Sequence, residues 1–551
     1  MTTRARPAVL EVGGMTCDDC AHHVTAALEG AGAEAVSVAW RAGEARFSWP
    51  ETLTEHDLRA AVEGAGYRPG ALRLLGTGLP APAQDASTDF DLVVLGAGSA
   101  AFAAAIKATE AGSRVALVEH GVLGGTCVNV GCVPSKALLR AGELAWAAGH
   151  HPYAGLSTSS GPVDLAALVA QKDELVGTLR QMKYADLVED YGFTVIPGHA
   201  RFTGPDEIEV DGRRIRARVY LVATGASPAV PPIPGLADAG YLTSTSALEL
   251  TERPKRLVVI GANAIGLELG QFFVHLGTKV TFVDIAARIA PFEEPEVSEA
   301  LASVLLAQGA TIHTGAQVLG VRRGKDHVDV TLRVGERQFD LVADQVLIAT
   351  GRRPNTEGLD LDKAGVKVDG RGAVVVDEEL RTANPRIFGA GDVTGAPQFV
   401  YVSAYEGALA VDNALLGAGR RTDFTGLPRV TFTAPQVAGA GLTEAQAVEA
   451  GFEVETSVLP LAAVPRALVN HDTHGLVKLV AERGSGRLLG ASVLAEGAGD
   501  VIQSAVLAIR HGITTSELAA TFHPYLTMVE ALKLASQTFT RDVEKLSCCA
   551  A

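Results

Sequence analysis

Six cysteines occur in 551 residues, and all fall in close pairs: Cys17/Cys20, Cys127/Cys132 and Cys548/Cys549. Close thiols can hold a soft metal ion or exchange electrons as a dithiol and disulfide. They are too sparse for a secreted disulfide scaffold, which is short and cysteine-dense. The first pair, in Gly14-Met15-Thr16-Cys17-Asp-Asp-Cys20, has the spacing for two-coordinate binding of a soft cation. No second cysteine pair or suitably spaced histidine set nearby completes a zinc site. The second pair lies in Gly124-Gly-Thr126-Cys127-Val-Asn-Val-Gly-Cys132-Val-Pro134-Ser-Lys136. Its glycines allow close backbone approach, and a helix N-terminus beside a thiol lowers its pKa. The third pair ends the chain in Ser547-Cys548-Cys549-Ala-Ala. Vicinal cysteines are too constrained for an easy mutual disulfide, and a chain terminus suits a carrier that moves.

Two glycine turns supply the other chemistry. Gly96-Ala-Gly98-Ser-Ala-Ala101 follows an apolar strand and opens a helix, and Glu119 ends the next strand. Gly96 permits the tight turn, Gly98 lets the backbone approach a pyrophosphate, and Ala101 keeps helix and strand close. Helix N-terminal amides hold the phosphates, and Glu119 accepts from ribose hydroxyls. The pattern recurs as Gly261-Ala-Asn263-Ala264-Ile-Gly266 with Asp284, and the separations 96–119 and 261–284 are both 23. Asn263 replaces the middle glycine; asparagine tolerates unusual backbone angles better than most residues, so the second site reads as weakened rather than abolished. Asp284 favours NADH, because a carboxylate repels a 2′-phosphate. Arg288 is the nearby cation that argues for NADPH, so the nicotinamide form stays open between the two.

The elements that position these residues divide the chain. Residues 7–74 read βαββα with a last short strand, a small ferredoxin-like βαββαβ unit: strands at Ala8–Val12, Val36–Ala39 and Ala45–Trp49, helices at Cys20–Leu28 and Leu53–Val62, and a strand near Ala71–Leu75. Residues 75–88, LGTGLPAPAQDAST, have the composition of a tether. Continuous apolar strands followed by glycines and helices then imply parallel sheets buried on both faces. The expected units are a first Rossmann-like domain at 89–237 completed by 358–427, a second at 238–357, and an α+β domain at 428–551. In the last, strands are expected at Val437–Ala440, Leu476–Val480 and Leu489–Val493, and helices at Asp500–His511 and Val529–Thr540.

Composition narrows the partners. With 47 Lys+Arg against 63 Asp+Glu, the formal net charge is −16, and without a basic block neither nucleic acid nor an anionic membrane surface is an expected partner. The first residues lack a signal-peptide core, and the apolar run Phe90–Ile106 is bounded by Asp91 and Lys107 and broken by glycines. A soluble, cytoplasmic location follows as the expectation.

Taken together, the Gly-Gly-Thr-Cys-x4-Cys-x-Pro-Ser-Lys segment, the glycine turn before it, and Ala223-Thr224-Gly225, Ala349-Thr350-Gly351 and Gly389-Ala-Gly391-Asp392 after it resemble the flavin-dependent pyridine nucleotide-disulfide oxidoreductases. The resemblance spans about residues 89–540. It implies FAD held by Gly96, Gly98, Glu119, Thr126, Lys136 and Asp392, with Lys136 and Glu268 paired beside the flavin ring. It also implies Cys132 against the flavin and Cys127 as the exposed, exchanging thiol. Thiol-disulfide reductases of this kind carry a His-Pro-x-x-x-Glu motif whose His is an acid and base. In Phe522-His523-Pro524-Tyr525-Leu-Thr-Met-Val-Glu530, alignment on Glu530 puts Tyr525 at that position and His523 two residues out of register. With Val464-Pro-Arg-Ala-Leu-Val-Asn470 and the Cys-Cys tail, this is similar to the mercuric reductases. That resemblance implies a homodimer in which tail cysteines of one subunit pass Hg(II) to the other's inner pair, with small thiols as carriers. The Cys17/Cys20 unit resembles the heavy-metal-associated domain, with Tyr67 near its metal loop. Ala264 departs from the relatives that carry a flavin-shielding aromatic there.

Overall fold

A computed structural model describes residues 6–15, 18–40, 43–50, 53–74 and 88–543. Cys17, residues 75–87 of the tether, and Cys548 and Cys549 lie outside the described residues.

The N-terminal unit has the expected βαββαβ order, with an antiparallel sheet running Glu34–Ala39, Glu44–Trp49, Arg6–Gly13, Arg68–Leu74. Its two helices are Asp18–Ala31 and Glu55–Gly64. The second starts two residues later than the periodicity predicts, because Thr54 and Asp57 form a reciprocal capping box. Leu10, Val24, Leu28, Phe47, Leu58 and Val62 fill the space between sheet and helices.

The first glycine turn lies in a parallel sheet ordered Thr194–Pro197, Val115–Glu119, Phe90–Leu95, Arg213–Val222, Ile387–Gly389. Strand Ile387–Gly389 enters this sheet from far along the chain. The helices Ser99–Glu110 and Val400–Ala414 cover it in direct backbone contact, since a Cβ on Gly407 would overlap the Ala100 carbonyl. The second turn repeats the arrangement in a parallel sheet ordered Thr311–His313, Lys279–Val283, Arg256–Ile260, Gln345–Ile348. Strands Ala316–Arg323, Val328–Val334 and Arg337–Ala343 form an antiparallel sheet beside it.

The C-terminal part is a five-stranded antiparallel sheet ordered Pro428–Thr431, Gln436–Gly441, Leu488–Ala495, Leu476–Glu482, Val454–Pro460. Its helices Ala498–Arg510 and Glu530–Gln537 are somewhat offset from the predicted ends, the latter stopping three residues early. Strands Pro428–Thr431 and Val454–Pro460 escape the sequence reading. Lys478, 1% exposed on strand Leu476–Glu482, donates to Glu294, Glu296 and Glu444 at 2.8–3.0 Å, which ties the second nucleotide-binding unit to the sheet.

Candidate active site

The inner cysteines lie on two successive helices. Gly125–Val130 is a short helix carrying Cys127, and Cys132 begins the helix Cys132–Ala147 after the break at Gly131. That break has no room for a side chain: a Cβ on Gly131 would sit 2.8 Å from the Thr126 carbonyl oxygen and 3.2 Å from Cys127 Cα. The helix terminus and Lys136, one turn along, therefore act on Cys132. The Cys127 thiol donates a hydrogen bond to Cys132, and together with the Lys136 ammonium this brings the Cys132 thiol down to about 6 against the opposing cost of burial. Cys127, the donor, is pushed up by that bond and by burial. Cys132 is exposed and Cys127 half-buried in the chain alone, which reverses the expectation of Cys127 as the more exposed thiol, because Cys132 opens its helix at the break whereas Cys127 lies inside the preceding short helix.

Lys136 Nζ is 2.7 Å from Glu268 Oε2, and Glu268 Oε1 accepts from the Phe432 backbone N–H at 2.8 Å. Helix Cys132–Ala147, helix Ala264–His275 and strand Pro428–Thr431 thus converge on one buried carboxylate. Ala264 opens the second of these helices, with no aromatic ring at that position.

Both glycine turns are built alike. Gly96 N donates to Val118 O and Gly261 N to Val283 O, each at 2.8 Å. Gly96 and Gly261 have φ of +111° and +104°, and a Cβ on either would meet the carbonyl of Ala223 or Ala349. Gly98 has φ −88° and Asn263 has φ −115°, both extended backbone. The expectation that Asn263 is tolerated for an unusual backbone angle is thus corrected, since any residue adopts this one. What Asn adds there is side-chain volume. Ala101 and Gly266 are buried where helix and strand touch. Glu119 Oε1 accepts from Gly121 N at 2.6 Å; Asp284 accepts from Ala262 N at 2.6 Å and Ala286 N at 2.8 Å.

Several of the residues expected around FAD lie against one another. A Cβ on Gly98 would meet only Gly125 Cα at 3.8 Å, so the two glycine backbones face each other there. Arg352 lies between Thr126 Oγ1 at 3.4 Å and Asp392 Oδ2 at 3.5 Å, donates to Ala226 O, and has a buried Nε with no hydrogen-bond partner. Burial pushes the Asp392 carboxyl up, partly offset by Arg352 and a Ser403 hydrogen bond. Gly391, at φ +78°, gives its N–H to Glu406 at 2.6 Å. Thr224 and Asn355 bond reciprocally at 2.6 and 2.9 Å beside Ala223 and Gly225, and Gly351 turns at φ +116°. A buried guanidinium ion-paired to Asp392 with no hydrogen bond at Nε, two acidic groups and a glycine free of side chain fit a dinucleotide with a polyol arm.

Tyr184 is a site residue that sequence reasoning missed. It lies in a π-helical turn, Gln181–Ala185, between helices Leu165–Arg180 and Asp186–Tyr191. Such turns often mark functional sites. Its ring packs edge-on to Phe102, it hydrogen-bonds Ser99, and burial with both cysteines nearby pushes its phenol up. Tyr525 lies elsewhere, half-exposed beyond helix Thr515–Ala520 and next to the fully exposed Phe522. Glu530 is 4% exposed, and its Oε2 has no hydrogen-bond partner among the described residues. Cys20 is half-buried near the start of its helix.

Comparison with known proteins places these features. Residues 90–407 match the pyridine nucleotide-disulphide oxidoreductase family, 427–536 its dimerisation domain, and 9–68 the heavy-metal-associated domain. A mercuric reductase of Staphylococcus aureus is 50% identical over 546 residues, 98% of each chain. One of Streptomyces lividans is 52% identical over 473 residues, 84% of this chain and 99% of that one. Among solved structures, the Cu(II) complex of the HOCl-induced flavoprotein disulfide reductase RclA from Escherichia coli aligns with TM-score 0.73 at 32% identity, covering 82% of this chain and 99% of that one. With a close cysteine pair and two glycine turns of one build on the same chain, the relatives settle the affiliation: the chain belongs to the pyridine nucleotide-disulphide oxidoreductases, within the mercuric reductases.

Proposed function

We propose that the chain reduces Hg(II) to volatile Hg(0) with electrons from NAD(P)H, and so detoxifies mercury. The observation that carries this is the inner dithiol with its low-pKa Cys132, on a chain whose full-length relatives are mercuric reductases. Bound FAD supplies two-electron transfer from the nicotinamide. The balance is NAD(P)H + Hg(II) → NAD(P)⁺ + H⁺ + Hg(0).

The chain's own groups do the rest. Cys127 and Cys132 hold the soft ion as thiolates, and Cys132 reaches that state first because Cys127 and Lys136 favour its charge. Glu268 holds Lys136 beside the dithiol. Tyr184 lies on the near side, where its hydroxyl steers a thiol-bound ion. Neutral mercury has no claim on thiolates and leaves. Cys17 and Cys20 collect the ion, and Cys548 and Cys549 carry it between thiol pairs, with small thiols as exchange partners. A homodimer formed through 428–551 brings Tyr525, positioned by the helix that Glu530 begins, to the partner's dithiol. Gly96, Gly98, Ala101, Glu119, Thr126, Ala223, Thr224, Gly225, Gly391 and Asp392 hold FAD; Gly261, Asn263, Gly266, Asp284 and Gly351 hold the nicotinamide dinucleotide. The domain limits 7–74, 89–237 with 358–427, 238–357 and 428–551, with 75–88 as a flexible linker, follow the same reading.

A side-by-side assay tests it. Purified protein is given NADH or NADPH with Hg(II) in excess thiol, with oxidised glutathione, or with lipoamide. Oxidation with Hg(II) alone is expected. Oxidation with an organic disulfide and none with Hg(II) would replace the proposal with a disulfide reductase.

A further inference from the structure

Glu406 is a buried acid outside the dithiol site. It lies on helix Val400–Ala414, is 1% exposed, and accepts the Gly391 N–H at 2.6 Å. We propose that Glu406 belongs to the FAD site as a neutral acid: binding of the flavin dinucleotide is coupled to uptake of one proton from solvent by this side chain, so that the cofactor is held more tightly in acid than in alkaline solution. This rests on the first glycine turn being the FAD site.

The fold places Glu406 between two segments that the dinucleotide needs. Gly391 turns at φ +78° directly before Asp392, and a Cβ on it would meet Ser403 Oγ at 3.0 Å and Ala100 Cβ at 3.4 Å. The next residue on the helix, Gly407, touches the Ala100 backbone, in the helix that the first glycine turn opens. Amides at that helix N-terminus hold a pyrophosphate. A charged Glu406 would share this buried corner with Asp392 and an incoming anion. Against the loss of water it has one hydrogen bond among the described residues.

Among the described residues no cation offsets that charge. Of the elements packed against its helix, Ser99–Glu110 carries Lys107, which pairs with Asp412 at 2.8 Å, and Glu110, which is exposed. Strand Ile387–Gly389 has no ionisable side chain, and the turn after it brings Asp392. Arg352 answers Asp392: its Nε, without a hydrogen-bond partner, is 3.5 Å from Asp392 Oδ2, and its Nη2 donates to Ala226 O. On the helix itself, the Tyr401 hydroxyl donates to Pro428 O and the Tyr405 hydroxyl accepts from Asp423 N–H at 3.0 Å. Burial, opposed by the Gly391 hydrogen bond and reinforced by Asp392, pushes the Glu406 carboxyl up to about 7. The pyrophosphate of FAD, one more negative charge nearby, raises it further. The value in the complex is then the higher one, so affinity is fully present below about 7 and is lost as pH rises above it. Protonated, the side chain keeps its carbonyl oxygen as acceptor for Gly391 and gains an O–H donor.

The test is FAD affinity as a function of pH, read from the free-flavin fluorescence of diluted holoenzyme at equilibrium. Cys127→Ala with Cys132→Ala is the parent, so that no inner thiol titrates. Neither mercury nor a nicotinamide takes part, so a failed mercury reaction leaves the result intact. The dissociation constant is expected to rise about tenfold from about pH 6.5 to about pH 8.5. Glu406→Gln keeps an acceptor for Gly391 and cannot ionise. It should remove the slope and, at the alkaline end, bind FAD at least as tightly as the parent. The holoenzyme should also show the infrared carbonyl stretch of a buried, protonated carboxylic acid that Glu406→Gln lacks. An affinity unchanged with pH, the parent's slope retained in Glu406→Gln, weaker binding by Glu406→Gln at every pH, or no infrared difference between the two proteins would overturn the proposal.

Discussion

Removing the Cys127 thiol should move the ionisation of Cys132 by more than removing any other single group. The Cys127 hydrogen bond is the largest cause of the low Cys132 value, ahead of Lys136. At about 6, Cys132 is about nine-tenths thiolate at pH 7, whereas an ordinary thiol near 8.5 is only a few per cent ionised. In Cys127→Ala the helix terminus and Lys136 remain, so the midpoint should settle at about 8, with about one-tenth thiolate at pH 7. The sign follows: a lowered thiol pKa means reactivity present above about 6 and lost as pH falls through it. The assay is alkylation by iodoacetamide of the reduced, flavin-free protein as a function of pH, with the modified cysteine identified by mass spectrometry. Wild type should react at Cys132 with a midpoint near 6. Cys127→Ala should react roughly tenfold more slowly at pH 7, Cys127→Ser should fall between because its hydroxyl still donates, and Lys136→Met should shift the midpoint less. A wild-type midpoint near 8.5, or a midpoint unmoved in Cys127→Ala, would refute the reasoning.

Other consequences are separately testable. Lys478→Met should destabilise the fold by about 3–5 kcal/mol in denaturant titration, because Glu294 would be left buried without its ammonium partner. Gly407→Ala should lower stability and flavin occupancy together, since its new Cβ would overlap the Ala100 carbonyl where two helices touch; flavin absorbance of the purified protein reads this out. Tyr184→Phe should leave NAD(P)H oxidation by a quinone within about twofold while lowering kcat/KM for Hg(II) by about tenfold, as loss of one hydrogen-bonding hydroxyl allows.

The parts of the site legible in the sequence are those where geometry forces residue type. A strand end that turns at positive φ against a carbonyl must be glycine, so Gly96 and Gly261 announce both nucleotide turns, and the equal spacing to Glu119 and Asp284 follows from one repeated unit. The cysteine pairs are legible because thiols are rare in this chain. Asn263 reads as a choice for backbone freedom only because sequence alone does not give φ; the angle proves ordinary. Tyr184 escaped because a lone aromatic in an amphipathic helix looks like core, and nothing local announces the π turn that carries it. The Lys478 cluster was hidden for another reason: its acids lie 34 to 184 positions away, and such pairings exist only once the sheets are placed.

The central claim is that this chain couples nicotinamide oxidation to mercury reduction. The most direct measurement follows NADH loss and trapped mercury vapour together, in a sealed reaction of purified, FAD-loaded protein with Hg(II) and excess thiol. The account predicts that one Hg(0) leaves per NADH oxidised, and that Cys127→Ala with Cys132→Ala abolishes both. Nicotinamide oxidation without mercury vapour, or vapour that persists in the double variant, would contradict it.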